Sequence, residues 1–195
     1  MINKAEVIEF FDSQAPMWDA EMIKDDRIVN IILDNAGIKK GTRVLDVACG
    51  TGVLFPDLLE RGALVTGIDI SAEMIKIAKT KFRDKKIKII CGDVECMESE
   101  ELFDSVVVYN AFPHFSDPEK LIDELAALTK PGGYLTVAHG MSRDKIDAHH
   151  NGSARRISNG LMPAEELADL FRKYFEITVI VSDDKMYQVC GRRKV

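Results

Sequence analysis

The chain has 195 residues, of which 46% are hydrophobic, so it can bury the core of one domain but is too short for two of ordinary size. Its formal net charge of −6 argues against a nucleic-acid partner, and its four cysteines form no C-x-x-C pair. No stretch approaches the roughly 20 apolar residues of a membrane span. We therefore expect one cytoplasmic domain over residues 1–195, without a membrane segment, a disulfide framework or a thiolate zinc site.

The first 40 residues predict two helices. Apolar residues at helical spacing predict a helix over residues 3–12, and residues 12–19, which include Pro16, interrupt that spacing. A second helix is predicted over residues 26–36, with Gly37 as its C-terminal stop. Both helices precede the first predicted strand.

The segment Val44 to Gly52, Val-Leu-Asp-Val-Ala-Cys-Gly-Thr-Gly, predicts a buried strand that ends in a ligand-binding loop. Gly50 and Gly52 allow a close approach of the ligand, and the next helix presents free N–H groups to an acceptor or anionic group. A dinucleotide site of the form G-x-G-x-x-G is disfavoured, because Phe55 stands at the third glycine position. Asp46 adds a carboxylate that suits a cationic ligand better than a pyrophosphate.

A second predicted strand, residues 63–69, ends at Asp69. This residue follows Gly50 by 19 positions, the spacing at which an acidic side chain accepts hydrogen bonds from ribose hydroxyls in a βαβ nucleotide site. We expect Asp69 to be a partly exposed acceptor for a ribose. A ribose is common to several nucleotide ligands, so this residue does not choose among them.

The remainder of the chain alternates predicted strands and helices and closes with an antiparallel hairpin. Helices are predicted after Ser71, after Asp117 and over residues 163–174, and the polar residues 140–160 predict an inserted loop or short helix. The remaining strands are predicted at residues 87–91, 106–110, 134–138, 175–181 and 186–191.

The segment 44–52 resembles the first motif of class I S-adenosylmethionine-dependent methyltransferases. Gly92-Asp93, Pro131-Gly132-Gly133, the Phe-Asp-x-x-Ala-x-x-Trp-Asp segment at residues 11–19 and the terminal hairpin are also similar to segments of that family, so the resemblance covers essentially the whole chain. It implies an α/β, Rossmann-like, doubly wound sheet of seven strands in the order 3-2-1-4-5-7-6, with strand 7 antiparallel. It also implies a helical lid over residues 1–40 on a core of residues 41–195.

The same resemblance implies S-adenosylmethionine as the cofactor. In the family the glycine loop wraps the methionine moiety, an acidic residue equivalent to Asp46 lies near its amino group, and residues equivalent to Asp93 and Val94 bind the adenine. The cofactor contacts implied for this chain are Trp18, Asp46, Ala48, Gly50, Gly52, Asp69, Ile70, Asp93, Val94 and Asn110.

The expected reaction is methyl transfer to a small-molecule nucleophile, which yields S-adenosylhomocysteine. The segment 109–115 departs from the Asn-Pro-Pro-Tyr pattern of enzymes that methylate exocyclic amino groups of nucleobases and glutamine, which argues against those acceptors. Oxygen, nitrogen, sulfur and carbon acceptors stay open. The alternatives are a non-catalytic S-adenosylmethionine-binding protein and an NAD-linked oxidoreductase, which the missing third glycine, Asp46 and the terminal hairpin disfavour.

The four histidines are predicted to share one rim of the sheet. His114 follows strand four, His139 ends strand five, and His149 and His150 lie in the insertion. We expect His114, His139 and His150 on the acceptor side, where His114 or His139 would act as a general base. Alternatively, His139 with His149 or His150 would hold a divalent metal ion that binds the acceptor.

Overall fold

The protein is built on a mixed sheet of seven strands. The structure, a computed structural model, describes residues 2–99, 101–150 and 156–195, and of residues 148–150 the backbone alone. The strands are β1 (Arg43–Val47), β2 (Leu64–Asp69), β3 (Ile87–Cys91), β4 (Phe103–Tyr109), β5 (Thr129–His139), β6 (Phe175–Ser182) and β7 (Tyr187–Arg193).

The strand order is β3-β2-β1-β4-β5-β7-β6. Strands β1 to β5 pair in parallel, whereas β7 lies antiparallel between β5 and β6. The predicted fold class, strand order and reversed seventh strand are confirmed. The carboxyl ends of the five parallel strands therefore lie along one edge of the sheet.

Helices cover both faces of the sheet. Several have a side chain as N-cap: Asp25, Ser71 and Asp117 each accept a hydrogen bond from an N–H in the first turn. Two 3₁₀ turns, Val94–Cys96 and Phe112–His114, follow β3 and β4. The helices are α1 (Lys4–Glu21), α2 (Asp26–Asn35), α3 (Phe55–Glu60), α4 (Ala72–Lys81), α5 (Pro118–Leu128), α6 (Arg143–His150) and α7 (Ala164–Arg172).

Both faces of the central strands are buried, which explains their nearly continuous apolar sequences. Val44 of β1 packs with apolar residues of α2, α3 and α4. Leu45 and Val47 point to the opposite face, where α5 and α7 supply the packing. By the same alternation, Asp46 shares the face of Val44. The sheet and the helices on its two faces thus form three layers, and the strand ends are left as the accessible edge.

Helix α1 runs unbroken from Lys4 to Glu21, so the predicted interruption at residues 12–19 is wrong. Proline in a helix interior removes one backbone hydrogen bond and costs about 3 kcal/mol or more. Contacts to the rest of the protein on both sides of Pro16 offset that cost: Asp12 bonds to Ser71 and Asp19 bonds to Thr51. Tertiary contacts thus override the local sequence signal.

The remaining departures are small. Strand β4 begins at Phe103, three residues earlier than predicted, and β5 includes the turn residues 130–133, where the register with β4 shifts. Residues 143–150 of the insertion are helical. Strand β6 carries a second register shift against β7, between Ile177 and Val179.

Among the described residues, no helix is long and apolar enough to cross a membrane.

Gly67 of β2 gives a test of how the fold supports the loop after β1. A Cβ at Gly67 would lie 2.5 Å from Cζ of Phe55 and 3.0 Å from Sγ of Cys49. We expect Gly67→Ala to lower the free energy of unfolding by about 1–3 kcal/mol, because it displaces the ring that begins α3. Urea denaturation measures this value.

The matched control is Gly92→Ala, where the nearest heavy atoms to an added Cβ are 3.9 Å away. Its free energy of unfolding should stay within about 0.5 kcal/mol of the parent value. Equal stabilities of the two variants would contradict this account of the packing.

Candidate functional site

A cavity lies at the carboxyl ends of β1 to β4, beneath α1. All the predicted cofactor residues except Asp46 and Gly52 line it, together with side chains of α1 that the sequence did not single out. The predicted residues that line the cavity are Trp18, Ala48, Gly50, Asp69, Ile70, Asp93, Val94 and Asn110. Residues far apart in sequence therefore converge on one place, although their contacts with a cofactor stay predictions.

Two non-glycine residues on the cavity wall have left-handed backbone conformations. Ala48, after β1, has a φ of 54°, and Asn110, after β4, has a φ of 55°. Such conformations cost of order 1 kcal/mol or more and cluster at functional sites. Asn110 is held by its side chain, whose Oδ1 accepts a hydrogen bond from the Gly140 N–H at 3.0 Å. The backbone is thus bent away from regular strand geometry where a ligand would lie.

The two loop glycines have different roles. Gly50 has a φ of 55°, and a Cβ there would lie 3.8 Å from Nε1 of Trp18, so the indole covers this glycine. A Cβ at Gly52 would lie 2.6 Å from the ring of Phe55 and 2.8 Å from that of Phe82. Gly52 therefore admits two core rings behind the loop, and the structure does not place it on the cavity.

Asp69 is buried, so the prediction of a partly exposed carboxylate is wrong. Its Oδ2 accepts a hydrogen bond from the Gly50 N–H and its Oδ1 one from the Ser71 N–H, each at 2.8 Å. Burial raises the pKa of Asp69, and these two hydrogen bonds oppose the rise. Each carboxylate oxygen has a second lone pair, so Asp69 joins the glycine loop to the start of α4 and still presents acceptors to the cavity wall.

Asp46 lies behind the cavity wall and is almost completely buried. Burial, followed by the negative charge of Asp69, raises the pKa of Asp46 to about 8. Its Oδ2 has no hydrogen-bond partner among the described residues. A buried carboxyl without a partner is unfavourable, so this position suits a cationic group or a water molecule that bridges to one.

Helix α1 covers the cavity and is fixed by polar contacts of three of its side chains. They distribute its attachment over the ends of β1 and β3 and over α4. The contacts are Lys4 with Asp93 at 2.6 Å and with Glu95, Asp12 with the Ser71 hydroxyl at 2.6 Å, and Asp19 with the Thr51 hydroxyl at 2.5 Å and with Lys81 at 2.6 Å.

Sequence reasoning missed Lys4, Glu95 and Phe11. Lys4 pairs with Asp93, the carboxylate predicted to bind an adenine amino group. Partial burial lowers the pKa of Lys4, but the hydrogen bonds to Asp93 and Glu95 outweigh this effect, so the pKa of Lys4 is raised. Phe11 and Trp18 are seven residues apart, two helical turns, and their ring centroids are 5.6 Å apart. This spacing places the two rings on one face of an unbroken helix, a face that the predicted interruption at residues 12–19 conceals in the sequence.

His114 lies on the cavity wall with a defined ring orientation. Its Nδ1 is 2.8 Å from the carbonyl oxygen of Ile157. A carbonyl oxygen only accepts, so Nδ1 carries the hydrogen, and in the neutral ring Nε2 is the nitrogen that takes up a proton. The ring packs edge-on against Phe11, with centroids 5.0 Å apart.

The predicted acceptor-side position of His139 is wrong. The residue is 2% exposed, packs against the ring of Tyr187 at a centroid distance of 6.0 Å and does not line the cavity. The alternation of side chains along β5 directs it into the core.

The side chains of His149 and His150 lie outside the described residues. Within the described part of the chain, no group of three or more His, Cys, Asp or Glu residues is arranged to hold a metal ion.

Comparisons of sequence match this chain to methyltransferases. Residues 45–137 match the family described as "Methyltransferase domain" (Methyltransf_11). A ubiquinone biosynthesis O-methyltransferase of Coxiella burnetii is 34% identical over an alignment of 142 residues that covers 69% of this chain. The chain spans 61% of the length of that relative.

Solved structures show the same fold. The N-methyltransferase NodS from Bradyrhizobium japonicum, in complex with S-adenosyl-L-homocysteine, aligns with a TM-score of 0.74 over 95% of this chain and 97% of its own, at 16% identity. The [4+2]-cyclase SpnF aligns with a TM-score of 0.76 over 97% and 96%, at 18% identity. Because one neighbour is named a cyclase, the fold alone does not fix the reaction.

The raised pKa of Asp46 predicts a specific dependence of stability on pH. The folded protein holds this proton up to about pH 8, whereas the unfolded chain releases it near pH 4. Stability should therefore fall as pH rises between these values, by up to about 1.4 kcal/mol per pH unit. Asp46→Asn removes this contribution, so its stability advantage over the parent should grow from pH 5 to pH 8 in urea titrations.

Asp184→Asn, at an exposed turn position, is the control and should follow the parent curve. Parallel curves for the parent and Asp46→Asn would show that Asp46 ionises normally.

Proposed function

We infer that the chain is a member of the class I S-adenosylmethionine-dependent methyltransferase family, and we propose that it transfers a methyl group from S-adenosylmethionine to a small-molecule nucleophile. The observation that carries the proposal is the acidic cavity at the strand ends, where the glycine loop, Asp69 and Asp93 meet beneath Trp18. Asp46 stands directly behind this wall. A cationic cofactor suits such a surface better than a dinucleotide with its anionic pyrophosphate.

The residues present fit the proposed cofactor. Asp46, buried and with an unpartnered oxygen, would serve the methionine amino group directly or through water. Asp69 would accept from the ribose hydroxyls, and Asp93 with the Val94 N–H would bind the adenine. The ion pair of Asp93 with Lys4 leaves the other lone pairs of that carboxylate for this bond.

S-adenosylmethionine, when bound, supplies a methyl group on a sulfonium-activated carbon. The tasks left to the protein are to orient the acceptor, exclude water and remove a proton where the acceptor carries one. Val7, Phe11, Trp18 and Phe115 give the cavity an apolar and aromatic wall that suits an apolar acceptor. His114 lies on the same wall and would take the proton at Nε2.

We propose a hydroxyl as the nucleophile. The support is the name of the Coxiella burnetii relative, an O-methyltransferase of ubiquinone biosynthesis, together with the ring orientation of His114. A neutral hydroxyl has to lose its proton during methylation, so a base is needed at this position. A non-catalytic cofactor-binding role is the alternative, and the assays below separate the two.

Residues 1–40 serve in this proposal as the lid of a single domain of residues 1–195. Helix α1 covers the cavity, and the side chains that attach it, Lys4, Asp12 and Asp19, are polar. Polar contacts of this kind exchange readily for water. They therefore suit a cover that opens for the cofactor and closes again.

Binding of S-adenosylmethionine should depend on pH through Asp46. Below about pH 8 the free protein holds this carboxyl protonated, and a bound ammonium group favours the carboxylate, so binding releases a proton. Kd should fall by up to about tenfold per pH unit between pH 6 and 8 and level off above. Calorimetry in buffers of different ionisation enthalpy measures both Kd and the proton release.

The control for this experiment is Asp46→Asn, whose Kd should vary much less over the same range. Heat of binding with NAD and none with S-adenosylmethionine would overturn the proposed function. A pH-independent Kd for the parent protein would remove Asp46 from the cofactor site.

Substitution of His114 tests catalysis. With a panel of hydroxylated aromatic compounds, amines and thiols as acceptors, His114→Gln should lower kcat about 10²- to 10⁴-fold with a hydroxyl acceptor, as expected for loss of a general base. The Kd of S-adenosylmethionine should stay near the parent value. His139→Gln, away from the cavity, should keep the turnover of the parent below its unfolding temperature. Cofactor binding without turnover of any acceptor would favour the non-catalytic role.

A further inference from the structure

We propose that residues Ile157 and Asn159 position His114, and that Ile157 links this positioning to the closure of α1 over the cavity. The inference rests on the proposed function, in which His114 takes a proton from the acceptor. It adds two positioning residues, supplied by the segment after α6.

Three hydrogen bonds join this segment to the turn that carries His114. The Asn159 N–H donates to the Pro113 carbonyl at 2.9 Å, and Asn159 Nδ2 donates to the Phe115 carbonyl at 3.1 Å. His114 Nδ1 donates to the Ile157 carbonyl at 2.8 Å. The bonds hold the residues on either side of His114 as well as its ring.

The turn alone would not fix the ring. Its own backbone hydrogen bonds, from the His114 N–H to Ala111 and from the Phe115 N–H to Phe112, set the backbone and involve no atom of the ring. The Ile157 carbonyl selects one tautomer, because a carbonyl accepts and never donates. A third group that orients a catalytic histidine in this way is a recurring requirement of base catalysis.

The side chain of Ile157 connects this arrangement to α1. Ile157 is 3% exposed and packs with Ile2 and Val7, while Phe11 of α1 contacts the His114 ring. If α1 moves off the cavity, Ile157 loses its apolar cover and His114 loses the ring of Phe11. The base is then in its working orientation only when the cavity is covered, which couples proton removal to the exclusion of water.

The test measures the tautomer of His114 directly. In ¹⁵N-labelled full-length protein, the His114 side-chain signals are assigned by their loss in His114→Gln. The parent protein should show the Nδ1–H form, and Asn159→Ala should show a mixture of both tautomers. With a hydroxyl acceptor, Asn159→Ala should lower kcat by about tenfold, since small misplacements of a catalytic group have large effects. The KM of S-adenosylmethionine should stay within about twofold.

Asn30→Ala is the matched control. Asn30 also donates its side-chain amide to a backbone carbonyl, that of Asp26 at 2.9 Å, but lies on α2. It should leave the tautomer and kcat unchanged. Asn159→Asp, nearly isosteric but without the Nδ2 donor, replaces Asn159→Ala if the latter does not fold.

Ile157→Ala keeps the backbone carbonyl and removes the apolar contact with α1. This variant should both shift the fluorescence emission of Trp18 and show a mixture of the two His114 tautomers. A change in the emission alone, or in the tautomers alone, would overturn the link. Parent-like tautomer and kcat in both Asn159 variants would overturn the positioning role. If the tautomers respond as expected but His114→Gln keeps full turnover, the positioning stands and the role of His114 in the proposed function falls.

Discussion

The site depends on one carboxylate that accepts two backbone hydrogen bonds. Asp69 holds the N–H groups of Gly50 and Ser71, and so it fixes the glycine loop after β1 relative to the start of α4. Ser71 in turn bonds to Asp12 of α1. A single buried side chain therefore connects the loop, the helix behind it and the cover above it. A change at Asp69 affects the shape of the cavity before it affects any ligand contact.

The second constraint is electrostatic. Asp46 and Asp69 lie close enough for the charge of one to raise the pKa of the other, and both are buried. Two carboxylates in such surroundings do not both ionise without compensation. The free protein satisfies this by protonating Asp46, and a cationic ligand would satisfy it by supplying positive charge. Affinity for a cation would thus be obtained at the expense of the stability of the empty site.

The sequence predicted the sheet well and the surroundings of the site less well, for physical reasons. Hydrophobic strands and glycine turns are local signals, and the family resemblance supplied the strand order, so the positions of β1, β2 and β3 agree with prediction. The continuity of α1 through Pro16, the ion pair of Lys4 and the burial of His139 depend on contacts between residues distant in sequence. Asp69 illustrates the limit, since its position was predicted but not the two hydrogen bonds that bury it.

The strand order also determines how the molecule meets its neighbours. Strands β3 and β6 are the two edges of the sheet, and an edge exposes backbone groups that can pair with another chain. Strand β6, Phe-Glu-Ile-Thr-Val-Ile-Val-Ser, has the β-branched composition and low charge of an aggregation-prone segment. Its register shift at Ile177 and Val179 interrupts the regular ladder, and such irregularities obstruct edge-to-edge pairing. The shift in β6 thus opposes association of chains through this edge, a benefit unrelated to the chemistry at the carboxyl ends of β1 to β4.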